Sequence, residues 1–189
     1  CYNGRSRTLA RAGWGVYYAP HSIHNRSEVL HGPVQSSFRA EVRALLHVVR
    51  NTAVPTVVMI DCKGVVVNTF NKMVETKEFE PGTLREEDLW KSIFQAIEGM
   101  PEDFILARWM PSHLSEKKNA GRKAIYLKTG ALEEADIRGN DHADELAKAG
   151  AVKHNSVQDL ELAAMDRKDI TVLAQKMFIN VWKSFIDAS

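Results

Sequence analysis

Three carboxylates, far apart along the chain, stand where the local pattern would otherwise place an apolar residue or end a buried element. Glu41 falls between Ala40 and Val42, next to the face defined by Phe38, Val42 and Leu45. Asp61 closes Thr56-Val57-Val58-Met59-Ile60, the most apolar run in the sequence. Ligands of open α/β sheets gather at the carboxyl ends of strands, so an acid at this point is either a ligand-binding group or a cap for Lys63-Gly64-Val65. Asp144 lies beside Leu146 and Ala147, a turn beyond Asp141. Asp141 belongs to the first turn of that segment, where an acid also favours the helix dipole. Carboxylates that converge without nearby lysine or arginine repel one another unless a hard cation neutralises them. Oxygen ligands alone suit Mg²⁺ or Mn²⁺ better than zinc. Two such ions about 3.5–4 Å apart stabilise the attacking and leaving oxygens of a phosphoryl displacement. His113, after Trp109-Met110-Pro111-Ser112, is either a proton-transfer group or a solvated loop residue.

These groups need a scaffold, and the periodicity supplies one. Gly13-Trp14-Gly15-Val16-Tyr17-Tyr18 has the composition of a strand that another element approaches closely. Ser27–Leu30 and Val34-Gln35 are two further extended stretches, so three short antiparallel strands are expected. Ser36 or Ser37 caps a helix in which Phe38, Val42, Leu45, Leu46 and Val49 recur at helical spacing up to Arg50. The run 56–60 reads as a strand covered on both faces. Helices are expected over 63–74 and 84–99, a strand over 104–110, and a helix over 140–150 capped by Asn140 or Asp141. A long polar, lysine-rich loop precedes that helix. A final amphipathic helix is expected over 170–186, with Leu173, Met177, Val181, Trp182 and Phe185 on its stripe. Strands followed by alternating helices and strands predict an α/β fold with a mixed sheet flanked by helices.

The chain has 189 residues, 25 Lys+Arg against 24 Asp+Glu, 44% apolar and 26% charged residues, which excludes a disordered, collagenous or coiled-coil class. No stretch approaches the roughly 18 uninterrupted apolar residues of a membrane-spanning helix. Cys1 and Cys62 are too few for a disulfide scaffold and lack partners at metal-ligand spacing, as in a reducing compartment. Charge is uneven: residues 1–50 hold seven arginines against Glu28 and Glu41, a balance of +5, whereas 51–110 come to −4. The basic first quarter is either a phosphate-facing surface or a solvated, partly paired one.

The ordered series formed by the Gly-rich aromatic strand, Arg39-Ala40-Glu41, Ile60-Asp61, Trp109-Met110-Pro111-Ser112-His113 and Asn140-Asp141-His142-Ala143-Asp144-Glu145-Leu146-Ala147 resembles the type 1 ribonuclease H family, including the ribonuclease H domains of retroelements. The resemblance spans residues 1–150, with 151–189 as a helical extension, and implies a mixed five-stranded sheet flanked by helices. It implies cleavage of the RNA strand of RNA–DNA hybrids by two Mg²⁺ ions, with Mn²⁺ as a substitute. Glu41, Asp61 and Asp144 correspond to three of the family's four metal-binding carboxylates, and His113 to its mobile histidine. Ser36, Ser37 and Asn140 correspond to substrate contacts, though a serine here is equally a helix cap. The fourth carboxylate has no counterpart, because no Asp precedes Asp61. Either Asn3-Gly4 replaces the family's Asp-Gly turn, or the aspartate lies upstream of Cys1, the preferred alternative. The three acids alone are expected to hold metal weakly. Residues 114–139, with Lys117, Lys118, Arg122, Lys123 and Lys128, form either a basic flap or a passive surface loop. An adjacent reverse transcriptase or other polyprotein domain is the implied partner, in the nucleus or cytoplasm, with no membrane. The competing class is a degenerate domain of this fold that binds nucleic acid without cutting it.

Overall fold

A computed structural model describes residues 11–153. The Asn3-Gly4 turn and the amphipathic run 170–186 lie outside the described residues. Strand β1 (Gly13–Val16) pairs antiparallel with β2 (Arg26–Val29), Trp14 opposite Glu28. Helix α1 (Ser37–Asn51) follows, then β3 (Thr56–Ile60). A helical stretch comprises α2 (Lys63–Val65), a π-helical turn (Val66–Phe70) and α3 (Asn71–Thr76). Helix α4 (Glu87–Ile97) leads to β4 (Ile105–Trp109), which pairs parallel with β3, Ile60 opposite Trp109. A 3₁₀ turn (Lys117–Asn119), α5 (Ala120–Lys128) and α6 (Glu134–Val152) complete the described chain. Among the described residues, no helix is long and apolar enough to cross a membrane.

The mixed α/β class expected from the sequence is present, but the five-stranded sheet is not. The four described strands form two separate two-stranded sheets, β1–β2 and β3–β4. No strand forms at Val34-Gln35. Instead the Gln35 side chain does the work of a ladder, its amide nitrogen donating to the carbonyls of Leu30 (2.6 Å) and Gly32 (2.7 Å) and its oxygen accepting from the Ala12 N–H (2.8 Å). β3 is likewise not covered on both faces: Ile60 is buried, whereas Val57 is half-exposed.

Helix α1 begins where Ser36 accepts the Arg39 N–H at 3.0 Å, an N-cap contact. Its apolar face, Val42, Leu45, Leu46 and Val49, enters the main core with Val65, Val66, Phe70, Trp90 and Ile93. The π turn opens on the β-branched pair Val66-Val67, and Thr69 within it donates to the Gly64 carbonyl at 3.1 Å. Arg39 ties α1 to the start of α4, its guanidinium meeting Glu86 at 2.6 Å and both carboxylate oxygens of Asp88. Such a forked contact fixes orientation as well as charge.

Residues 114–139 are not a passive loop. They contain α5 and the first turn of α6, which starts at Glu133 through a capping box with Asp136. Asn140 and Asp141 therefore lie inside the helix and do not cap it. Met110, Leu114, Leu132 and Ile137 pack together as a small second core beneath this segment. Helix α6 then runs so close along β1–β2 that a side chain at Gly13 or Gly15 would strike its backbone, and one at Gly150 would strike the backbone of Glu28. The glycines of the aromatic strand serve this backbone contact.

Candidate active site

Between the two sheets lies a cavity of about 370 Å³, walled by β1 on one side and β3 on the other. α1 contributes Glu41 and Ala44, α6 contributes Asn140, Ala143 and Asp144, and Asp61 stands at the end of β3. All three acids singled out by sequence therefore face one space.

Each arrives for a local reason. Glu41 shares a side of α1 with Ala44, Leu45 and Val48, at helical spacing, and all four line the cavity. Asp61 follows Ile60, where the β3–β4 ladder ends, and its carbonyl accepts the Trp109 indole N–H at 3.0 Å. The Lys63 ammonium lies 5.6 Å from the Trp109 ring centre, adding a cation to the same corner. Asp144 is one turn beyond Asn140 on α6, so the two share a face.

The charges feel one another. Burial, then the charges of Asp61 and Asp144, push the Glu41 carboxyl from 4.5 up to about 7. Burial and the charge of Asp144 also push Asp61 up, while a hydrogen bond from the Asn140 side chain and the charge of His113 act the other way. This is the electrostatic signature of a site that attracts cations. Among the described residues, however, no group of three or more His, Cys, Asp and Glu side chains lies close enough to hold one metal ion. The donor chemistry and charge thus fit a hard divalent cation, and the oxygens as placed do not close into a single coordination sphere.

His113 stands on an exposed turn with φ of 56°, its ring Nδ1 3.5 Å from Glu116, and its carbonyl accepts the Asn119 side chain at 2.8 Å. It is near enough to influence Asp61 but does not line the cavity. Ser36 is occupied as the α1 cap and Ser37 is exposed in the first turn; neither lines the cavity. Asn140, expected as a substrate contact, lines the cavity and its side chain bonds to Asp61.

Two contacts were not anticipated from sequence. Lys148 reaches Asp144 at 3.3 Å, one turn along α6, and Ser115 donates to Asp141 at 2.9 Å, fastening the His113 turn to that helix. The four-residue spacing of Asp144 and Lys148 is a helical-pair signal for the first. No known protein family, curated protein or solved structure matches this chain.

Proposed function

We propose that this domain is a ribonuclease H-type endonuclease acting on the RNA strand of RNA–DNA hybrids in the nucleus or cytoplasm. Its two sheets are then the halves of a five-stranded mixed sheet. The observation that carries the reading is the convergence of Glu41, Asp61 and Asp144, each from a different element, on one cavity where the charges of Asp61 and Asp144 work against ionising Glu41 and that of Asp144 against ionising Asp61.

Glu41, Asp61 and Asp144 hold the divalent cations, Mg²⁺ or Mn²⁺. Bound there, such ions supply an activated water and neutralise charge at the phosphorus. Asn140 orients the Asp61 carboxylate and keeps it ionised by donating to it. His113, on its exposed turn beside Asp61, exchanges a proton as product leaves. The RNA strand is distinguished by its 2′-hydroxyls, met by small polar side chains and backbone groups. An adjacent polyprotein domain such as a reverse transcriptase would add hybrid affinity.

The test is cleavage of an end-labelled hybrid in Mg²⁺ or Mn²⁺ by the chain and by Asp61→Asn. The reading expects slow RNA-strand cleavage that the substitution abolishes, with duplex DNA left intact. An uncut hybrid at saturating Mn²⁺ overturns it. A second reading, a hybrid-binding module that does not cut, is favoured by the open spacing of the acids and the hold of Lys148 on Asp144. It expects hybrid retention with no product under the same conditions.

A further inference from the structure

On the reverse side of α1 from Glu41, a set of positive groups gathers around a buried tryptophan. Arg43 and Arg50 lie two and nine residues past Glu41, which at about 100° per residue turns both away from the cavity. The Arg43 guanidinium stacks 4.9 Å from the centre of the Trp14 ring, and the His47 ring lies 5.0 Å from it on the same residue. Trp14 itself is buried at 5% exposure, so it acts as a fixed platform. Arg26 joins from β2, close enough to act on His47.

These cations are poorly compensated. Burial and the charge of Arg50 both work against the Arg43 guanidinium, and burial first, then Arg26 and Arg43, work against charging His47. The acid seen from His47 is Glu28, which pairs with Trp14 across the β1–β2 ladder. Among the described residues, Arg26, Arg43 and Arg50 make no ion pair, whereas Arg39, one turn earlier on α1, is fully engaged by Glu86 and Asp88. A like-charge set partly withdrawn from water and stacked on an aromatic ring is stabilised by an external anion.

We propose that Arg26, Arg43, His47 and Arg50 form a phosphate-binding face for a nucleic-acid strand, separate from the acidic cavity. Arg43 and Arg50 are about 10 Å apart along the helix axis at 1.5 Å per residue. The planar guanidinium suits a forked contact with phosphate oxygens. The choice of a nucleic acid over other polyanions rests on the reading proposed above. The face holds a strand without needing cleavage, so a failure of binding and a failure of cleavage are read apart.

The experiment is fluorescence anisotropy of a labelled 12-nucleotide single-stranded RNA with the full chain in EDTA, over a range of salt. Arg43→Gln/Arg50→Gln is expected to weaken binding at least tenfold and to flatten the dependence of log K on log salt by about 1.4, at about 0.7 per lost phosphate contact. Arg50→Gln alone, which disturbs no contact with Trp14, should give about half of the change in slope and guards against misfolding of the double variant. Unchanged affinity and slope in both variants would overturn the proposal. So would loss of binding to anionic lipid vesicles with RNA binding intact, which would assign the face to a membrane. Loss of hybrid cleavage with RNA binding retained would instead count only against the nuclease reading.

Discussion

Replacing Glu41 with glutamine should make the metal-free protein more stable, and more so as the pH rises. The carboxyl titrates near 4.5 when unfolded and at about 7 in the folded chain, so folding retains a proton that the unfolded chain releases. The native state is therefore penalised above 7, progressively less so between 7 and 4.5, and not at all below. At about 1.36 kcal/mol per pH unit the penalty reaches about 3 kcal/mol at pH 8 and falls below about 1 kcal/mol at pH 5. Glutamine keeps the shape and removes the charge. Urea or thermal unfolding of both proteins at pH 5 and pH 8 should show a gap in favour of Glu41→Gln that widens by about 2 kcal/mol at the higher pH. Divalent cation should narrow the gap at pH 8, because only the parent gains a neutralised carboxylate. A gap independent of pH, or a less stable glutamine variant at pH 8, would refute the argument that buried like charges converge here.

Three other outcomes follow from the same geometry. Arg39→Ala leaves Glu86, whose side chain is 5% exposed, with only the exposed Arg85 at 3.5 Å, and should lower stability by about 2–4 kcal/mol in denaturant unfolding. Gly15→Val drives a side chain into the backbone of α6 and should cost more than about 3 kcal/mol, read as loss of amide-exchange protection in α6. Asn140→Ala removes the bond that favours the charged form of Asp61, so the Asp61 carboxyl should titrate higher by NMR, and hybrid cleavage at neutral pH should fall about tenfold.

The sequence carried α1, β3 and β4 within a residue or so, because an amphipathic stripe or a short apolar run leaves few other places for those side chains. It carried the acid trio for a related reason, since Asp61 ends an apolar strand and Glu41 interrupts an apolar helix face. The split of the sheet was not legible, since strand edges leave no mark on a side-chain pattern. Helix α5 was hidden by its lysines and by Gly121, and it buries none of its residues. The start of α6 was misplaced because Glu133 with Asp136 makes a weaker signal than the Asn140-Asp141 pair that looked like a cap. Val34-Gln35 reads as a strand from its sequence, and Asn140 as a substrate contact. Gln35 closes a loop and Asn140 holds Asp61, contacts that depend on partners distant in sequence.

The account rests on Glu41, Asp61 and Asp144 acting as one cation site. Paramagnetic broadening of backbone amides by substoichiometric Mn²⁺ reads that directly. Selective broadening of residues 41, 61, 140 and 144, lost in Asp61→Asn, is the outcome predicted. Broadening that is absent, spread over surface acids, or unchanged by the substitution would contradict it.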